Sequence, residues 1–245
     1  MSAALQAPPS PDPLLEAVRA EGFARVPGAA LAARLGPGGA PAALDAFAAS
    51  WDRLEVDGFM ADGGRYRRRR HATFSQAWGV PGARRNPHRP HFQATVHNRL
   101  NGGVDRWFAP VEDAVAEGAP TQALLALGRG LADALAPGLD WLVEMHQFRI
   151  EAAAGAPGYP TPEGVHHDGV DLVLIAMIAR TNLVGGETRV TDPSGREVAR
   201  FTLLDRLDSA VLDDARVMHG VTPVGPADPA LPSRRDVLVL TWKRA

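Results

Sequence analysis

Three side chains in the second half of the chain have the types and the spacing of a metal site. His166 and Asp168 lie two residues apart, and His219 follows far downstream. Two imidazoles and one carboxylate can occupy one face of an Fe(II) ion and leave the opposite positions open for other ligands. The spacing therefore predicts a metal site at these residues, with Zn²⁺ or Mn²⁺ in a cupin-like pocket as the alternative to Fe(II).

The candidate ligands need elements that bring them together. If His166 and Asp168 lie on a β-strand, they face the same side, because side chains alternate along a strand. His167 would then point away, and we expect that it is not a ligand. His219 lies within the stretch 216–224, whose pattern predicts a second strand. The metal hypothesis therefore requires a strand-rich second half of the chain.

An arginine at the start of the last apolar stretch suits a second role in the same site. The guanidinium of Arg235 could bind the distal carboxylate of a dicarboxylate co-substrate such as 2-oxoglutarate through two parallel hydrogen bonds. Strand alternation lets only one of Arg234 and Arg235 face inward, and a solvated turn is the alternative for both. Thr188, after the Gly185-Gly186-Glu187 turn, could add a hydroxyl to this pocket or simply belong to a hairpin.

The chain divides by pattern into two parts. We expect a flexible lead over 1–12 and a helical or mixed part over 13–140, with Asp12 as the cap of a first helix at 14–23 and another helix at 120–136. After that, short apolar or alternating stretches are separated by Gly, Pro and Asp, a pattern typical of a β-sandwich or barrel. The stretches are 141–152, 171–179, 188–191, 197–204, 209–212, 216–224 and 235–242. We therefore predict one domain, mainly β with flanking α, in which a double-stranded β-helix (a cupin-like jelly roll) over 141–245 follows a helical N-terminal part.

Composition narrows the classes of function. The chain has no cysteine, which excludes disulfides, thiolate catalysis and cysteine-ligated iron–sulfur or zinc sites. Its formal net charge of −2 gives no overall field that favours nucleic acid or an anionic membrane. The N-terminus lacks the pattern of a signal peptide, and the longest apolar run, 172–179, is too short to span a bilayer. We expect a cytoplasmic protein with neither nucleic acid nor membrane as a partner.

Further polar residues are candidates for binding a small-molecule substrate. Gln93 and Asn98 lie in a segment that could cover the opening of the site, although structural hydrogen bonding would explain them equally well. On the predicted strand 141–152, either His146 and Phe148 or Gln147 and Arg149 face the cavity. Arg149 is taken as the candidate for substrate binding on this strand.

Two other groups of charged residues have open interpretations. The run Arg65–Arg70 predicts a surface strand or the rim of a substrate opening, and a role in binding nucleic acid is disfavoured by the acidic chain. Glu144, Asp213 and Asp214 could orient the histidine ligands through hydrogen bonds, or could be turn residues.

Several motifs in the same order resemble one known family over roughly residues 50–243. The chain resembles small bacterial Fe(II)/2-oxoglutarate-dependent dioxygenases of the L-isoleucine dioxygenase type, which hydroxylate amino acids. The motifs are PEGVHHDG at 162–169, ARTN at 179–182, GGET at 185–188, LDD at 212–214 and RDVLV at 235–239, with HFQ at 91–93, NGGVDR at 101–106 and EMHQFR at 144–149 upstream.

The resemblance implies a fold, a site and a reaction. It implies a jelly-roll core, iron held by His166, Asp168 and His219, and 2-oxoglutarate held by Arg235. It also implies that a free L-amino acid or a derivative is hydroxylated with O₂ while succinate and CO₂ are released. Related halogenases lack the carboxylate ligand, so the presence of Asp168 favours hydroxylation over chlorination.

Two alternative functions stay open beside that reading, and so does the oligomeric state. One is an oxidase of the same family that gives a desaturated, cyclised or sulfoxidised product. Another is a non-catalytic jelly-roll binding protein with a vestigial metal site. A homodimer is possible, and sequence does not decide between one copy and two.

Overall fold

The computed structural model describes residues 12–96, 100 and 102–245 of the chain. The expected flexible lead therefore lies almost entirely outside the described residues, as does Asn98. The helices are α1 (Pro13–Glu21), α2 (Gly28–Arg34), α3 (Pro41–Ala48), α4 (Asp113–Ala116) and α5 (Ala119–Leu135), with 3-10 turns at Gly36–Gly39 and Ala49–Arg53. No helix within these described ranges has the length and the apolar character to cross a membrane.

The strands form three antiparallel sheets. They are β1 (Phe23–Val26), β2 (Glu55–Val56), β3 (Arg67–Gln76), β4 (Arg84–Arg85), β5 (Trp141–Ala152), β6 (Leu172–Thr181), β7 (Leu183–Gly185), β8 (Thr188–Thr191), β9 (Glu197–Phe201), β10 (Ser209–Asp213), β11 (Met218–Val221), β12 (Val224–Pro226) and β13 (Ser233–Arg244). The large sheet has the order β1-β10-β6-β13-β5-β3-β2, with β4 paired to β3. The two small sheets have the orders β11-β8-β9 and β12-β7. The predicted mainly β architecture with flanking helices is thus what the chain adopts.

Local sequence explains where the first helix begins and ends. The Asp12 side chain accepts a hydrogen bond from the Leu14 amide, and Pro13 occupies the first helical position, where its missing N–H costs nothing. Gly22 follows the helix with φ of +79°, the left-handed conformation that glycine adopts most easily. The predicted cap is therefore present, and the glycine stops the helix one residue before β1.

Part of the large sheet comes from the half of the chain that was expected to be helical or mixed. β3 pairs with β5 along its whole length, and β1 pairs with β10. The run Arg65–Arg70 leads into and forms the start of β3, but Arg67 and Arg69 are buried with 6% and 4% exposure. This corrects the expectation of a surface strand, because β3 is covered on both faces. The division of the chain at residue 140 stays a prediction.

The two faces of the large sheet have different environments. On β13, Arg235, Val237 and Val239 line a cavity, whereas Leu238 and Leu240 point to the opposite face. That opposite face packs against the helices in the larger of the hydrophobic clusters. Because side chains alternate, the sheet separates an apolar core under the helices from a cavity that faces the small sheets.

One glycine of α5 allows this helix to lie close to the large sheet. A Cβ atom built on Gly128 would lie 2.1 Å from the ring of Trp242, which is fully buried on β13. At Gly130, one half-turn away and exposed, a Cβ atom would meet nothing within 4 Å. The pair offers a matched test of this packing.

We expect Gly128→Ala to destabilise the fold and Gly130→Ala to stabilise it. In an open helical position, alanine is favoured over glycine by roughly 1 kcal/mol, whereas overpacking a core costs about 1–3 kcal/mol. Urea unfolding of both variants and the wild type measures whether each substitution raises or lowers the free energy of unfolding. Equal stabilisation by both substitutions would contradict the close contact between α5 and Trp242.

Candidate active site

A cavity of about 590 Å³ lies between the large sheet and the small sheets. This volume is within the usual range for small-molecule sites. β5 contributes Glu144, His146 and Phe148 to its wall, and β13 contributes Arg235. The predicted metal residues line the same cavity, so one space holds most of the chemistry that the sequence indicated.

His166, Asp168 and His219 come together at one end of the cavity. Each offers one ligand atom, and these atoms lie within 4.8 Å of one another. The Nε2 atoms of His166 and His219 lie 3.5 and 3.7 Å from the two carboxylate oxygens of Asp168. The Nδ1 of His166 lies 3.0 Å from the carbonyl oxygen of Gly164, which suits an N–H at Nδ1 and turns Nε2 towards Asp168. The three residues therefore form a donor set that could hold a metal.

The loop that carries His166 and Asp168 is fixed by backbone pairing rather than by a regular strand. His166 exchanges two backbone hydrogen bonds with His219 of β11, at 2.9 and 3.0 Å. Asp168 lies outside the named strands, which corrects the expectation that a strand aligns the two ligands. His167 lies outside the group of three, with its ring 3.9 Å from Asp214.

Asp214 holds this loop from behind. Its buried carboxylate accepts hydrogen bonds from the backbone amides of Asp168, Gly169 and Val170, at 3.0, 2.8 and 3.1 Å. Burial raises the pKa of Asp214, and the charge of Asp168 adds to this effect. Asp214 thus holds the loop backbone, and its partners do not include the rings of the two candidate histidine ligands, although one interpretation of the sequence suggested that they would.

The protonation states of the three residues depend on one another. Burial disfavours the charged form of His166, but hydrogen bonding to Asp168 outweighs it and raises the pKa of His166 to about 9. The pKa of His219 is lowered to about 4 by burial and by His166. The pKa of Asp168 is held below its usual range because His166 and His219 outweigh its burial. The carboxylate is therefore ionised and one ring is neutral at pH 7.

Arg235 lies in the cavity without an acidic partner. Its side chain is 3% exposed, its Nε has no hydrogen-bond partner, and no carboxylate of the described residues lies within 4 Å. Burial, and then the nearby charge of Arg180, lower its pKa to about 10. A buried guanidinium without a counter-ion is costly, so this place suits a carboxylate supplied by a ligand.

The neighbouring candidates have different positions. Arg234 faces the other way, with its guanidinium 3.5 Å from Asp52. Thr188 is buried opposite Val221 in the pairing of β8 with β11, but it does not contribute to the described lining of the cavity. A role for Thr188 in binding the co-substrate stays a prediction.

Of the predicted substrate-binding residues, one lines the cavity and one does not. The side-chain amide nitrogen of Gln93 donates to the Asp168 carbonyl oxygen at 3.3 Å, at the cavity wall. Arg149 points to the opposite face of β5, where it donates to Asp236 at 2.7 and 2.8 Å and to Asp52 at 2.8 Å. This corrects the expectation that Arg149 binds substrate, because alternation turns the other residues of β5 towards the cavity. Asn98 lies outside the described residues.

A second group of ionisable residues comes from β3, β5 and the segment at His91, and three of its members line the cavity, namely His91, Glu144 and His146. His91 Nδ1 lies 2.6 Å from Glu144, and Nε2 atoms of His146 and His71 lie 3.4 and 3.8 Å from the same carboxylate. The guanidinium of Arg69, which also lines the cavity, lies 2.8 Å from Nδ1 of His146. Sequence analysis identified His146 and Glu144 only as possibilities, because the facing of β5 was open.

Burial keeps the histidines of this group neutral. It lowers the pKa of His71 well below its usual value, that of His91 less strongly and that of His146 to about 3. Burial alone would raise the pKa of Glu144, but the hydrogen bonds from His146 and His91 outweigh it and hold that pKa low. The group is therefore one carboxylate surrounded by neutral rings.

These shifts predict that the fold loses stability in mild acid. Below about pH 6.5 the unfolded chain takes up protons on His71, His91 and His146 that the folded chain does not. Stability is therefore expected to fall with decreasing pH by up to about 1.4 kcal/mol per pH unit for each such proton. Urea unfolding at pH 7.0 and pH 5.5 measures this slope, and His71→Phe should make it shallower. A flat profile in the wild type would contradict buried neutral rings.

Known proteins match this chain in sequence and in structure. A sequence model of the family described as 2OG-Fe dioxygenase matches residues 48–241. A curated relative, the 3(1)-hydroxy-L-isoleucine 4-dioxygenase of Pantoea ananatis (strain AJ13355), is 28% identical over 159 residues, which are 63% of this chain and 64% of that protein. The match thus spans less than two thirds of the relative's length.

Two crystal structures cover almost the whole chain. A bsmA homolog from Methylobium petroleophilum PM1 is 40% identical, with a TM-score of 0.86 over 95% of this chain and 92% of that chain. IDO from Bacillus thuringiensis is 18% identical, with a TM-score of 0.80 over 95% of this chain and 98% of that chain, and this likeness concerns the fold alone. The predicted jelly-roll fold is confirmed by these matches together with the observed sheets.

Proposed function

The chain belongs to the 2OG-Fe dioxygenase family, and we propose that it hydroxylates a C–H bond of a free L-amino acid or a close derivative, releasing succinate and CO₂. The predictions of an oxidoreductase and of Fe(II) and 2-oxoglutarate as cofactors are confirmed by the family match. O₂ and a small-molecule substrate follow from the same family. The amino-acid substrate is the finer proposal, and the relative that acts on a hydroxylated isoleucine supports it.

We assign the iron ligands to His166, Asp168 and His219. This assignment is supported by their convergence at one end of the cavity and by their chemistry, since two imidazoles and one carboxylate suit Fe(II). Nδ1 of His166 is directed at a backbone carbonyl oxygen, so Nε2 is the nitrogen that would ligate, with the metal displacing its proton. When bound, the metal and 2-oxoglutarate supply the oxidant for an unactivated C–H bond.

Arg235 is assigned to the distal carboxylate of 2-oxoglutarate. The observation that carries this step is a buried guanidinium that lines the cavity and has no acidic partner in the described chain. A bound carboxylate would relieve the cost of that isolated charge. The protein's own contribution is then to position the two ligands.

Succinate release tests the proposed reaction. The enzyme is supplied with Fe(II), 2-oxoglutarate and O₂, and each of the common L-amino acids is added in turn. We expect at least one aliphatic or thioether amino acid to stimulate succinate formation and to gain one oxygen atom by mass spectrometry. Stimulation by none of them would overturn the amino-acid assignment, and a product lighter by two hydrogens would favour the oxidase alternative.

A further inference from the structure

A wall of the cavity formed by β3 and the segment after residue 100 carries three buried arginines. Arg67 and Arg69 share one counter-ion, Asp57, at 2.7 and 3.7 Å. Arg69 also lies between two aromatic rings, 3.7 Å from the centroid of Phe108 and 4.4 Å from that of Phe148. These two cations are therefore supported by the protein itself.

Arg106 has weaker support, since its guanidinium lies 5.7 Å from the centroid of Phe108 and forms no ion pair with the described residues. Its backbone is fixed by two hydrogen bonds of 3.0 Å with His91, and its side chain is only 2% exposed. Its Nε and Nη2 have no hydrogen-bond partner, and within the described chain no carboxylate lies within 4 Å of its guanidinium. Burial, and then the charge of Arg67, lower its pKa. A fixed, buried guanidinium with two unpaired nitrogens in a cavity wall is complementary to an anion.

Glu163 lines the same cavity and has a buried acceptor atom without a donor in the described chain. Its Oε2 is buried and has no hydrogen-bond partner among the described residues, while its Oε1 lies 3.6 Å from Nε2 of His166. A buried carboxylate oxygen without a donor is costly, so the place next to it suits an N–H group. The negative charge of Glu163 favours the charged form of Arg106 and so raises its pKa, but the two side chains do not form an ion pair.

We propose that Arg106 binds the α-carboxylate of the amino-acid substrate and that Glu163 accepts a hydrogen bond from its α-ammonium group. The proposal rests on the proposed function and identifies the residues that recognise the zwitterion. One ligand would satisfy two buried groups of opposite charge that the fold keeps apart. Because Glu163 is adjacent to His166, the ammonium group would lie near the metal end of the cavity.

The remaining lining fits an aliphatic side chain. Phe148, Ile150, Ile175 and Val221 contribute apolar surface to the same cavity. A substrate that places its charged groups at Arg106 and Glu163 would direct its side chain along this surface. The chemical class is therefore an unmodified α-amino acid with an apolar side chain, rather than a peptide or an amine.

The group of His71, His91, Glu144 and His146 is the rival explanation for this wall, as a second metal site. Its four residues have ligand atoms within 4.8 Å of one another. However, Arg69 can only donate, so Nδ1 of His146 accepts and a neutral ring carries its proton on Nε2, towards Glu144. Nε2 of His146 could ligate a metal only if this proton moved to Nδ1, which Arg69 blocks, and the adjacent arginines repel a cation. The observations therefore favour the anion site.

Binding calorimetry without O₂ tests the proposal on the enzyme loaded with Fe(II) and 2-oxoglutarate. The probes are L-isoleucine, L-leucine, L-valine and L-methionine, together with the amide and the deaminated acid of each. Arg106→Gln is expected to weaken the best amino acid by at least about 30-fold and to leave the binding of its amide unchanged. Glu163→Gln should show the mirror pattern, weakening the amino acid but not the deaminated acid.

Controls separate this idea from the alternatives. Arg89→Gln removes an exposed arginine of the same cavity rim and should change affinity by less than about threefold. Arg106→Lys keeps the charge but loses the planar fork, so its affinity for the amino acid should lie between those of the wild type and Arg106→Gln. If Arg106→Gln folds poorly, a weakened affinity in Arg106→Lys serves as the test.

Specific outcomes overturn the proposal. Equal weakening of amino acid and amide by Arg106→Gln would show a structural role, and a bound-metal count of two per chain would favour the second metal site. Lack of binding by all four amino acids, with 2-oxoglutarate still bound, would overturn the zwitterion site alone. Lack of 2-oxoglutarate binding in the wild type would instead be a failure of the proposed function.

Discussion

Asp168→Ala is expected to lose Fe(II) affinity by more than about 100-fold and to abolish substrate-dependent succinate release. Replacing a residue that merely orients a metal ligand typically costs 10- to 100-fold, and a direct ligand should cost more. In this chain the carboxylate of Asp168 also lies between the two imidazole rings, at 3.5 and 3.7 Å. Its removal would leave the ligand group with two rings and no carboxylate for a divalent cation. Metal content after equilibrium dialysis under nitrogen measures the loss.

His167→Ala is the matched control for this substitution. His167 lies between two of the assigned ligands in sequence, but outside the group of three in space. We expect it to retain metal affinity within a few-fold, because only the adjacent contact with Asp214 is disturbed. Similar metal loss in both variants would contradict the assignment of the ligands and would point to a general disturbance of the loop.

Arg235→Met is expected to weaken 2-oxoglutarate by at least about 30-fold while leaving Fe(II) bound. Truncating one partner of a buried charge pair costs about 2–5 kcal/mol, largely because the other charge is left unpaired. Without ligand, the same substitution removes a buried cation that has no acidic partner in the described residues, so the folded state should be at least as stable as the wild type. Calorimetric titration of 2-oxoglutarate and a thermal unfolding curve measure both effects.

The adjacent arginine provides the comparison for Arg235→Met. Arg234 has the same side chain on the same strand, but it faces Asp52 on the other side of the sheet. Arg234→Met should therefore leave the affinity for 2-oxoglutarate within about threefold of the wild type. Equal weakening by both substitutions would contradict the assignment, since a general effect of lost positive charge would then explain it.

The strand pattern predicted much of the second half of the fold. β5 and β8 have the predicted bounds, and β13 extends the last predicted stretch by two residues at each end. Their apolar alternation is strong because one face packs under helices and the other lines a cavity. β1 and β3 were not assigned to the large sheet, since a pairing partner far away in sequence, and not local pattern, makes them strands.

The proposed metal ligands could be predicted because their chemistry is encoded in residue type and spacing. The expected strand around His166 and Asp168 was wrong in detail, since backbone pairing with β11 and the clamp of Asp214 on the loop do the positioning. Such a clamp joins residues distant in sequence, and no local pattern indicates it. Arg235 could be ranked above Arg234 only by its place in the family motif.

The residues proposed to bind the substrate could not be predicted from the sequence, for a physical reason. Strand alternation fixes which residues share a face, but not which face is turned inward. Arg149 was therefore chosen on β5 where His146 and Phe148 face the cavity. Arg106 and Glu163 gained significance only from burial and from missing partners, which are properties of the assembled fold.

The most direct test of the central claim is a titration of the wild-type enzyme with Fe(II) and 2-oxoglutarate in the absence of O₂. A weak visible charge-transfer band reports the two ligands bound together. The account predicts that the band appears only when both are present and that it saturates at about one equivalent of each per chain. No band with both present at saturating concentration would contradict a functional iron and 2-oxoglutarate site in this cavity.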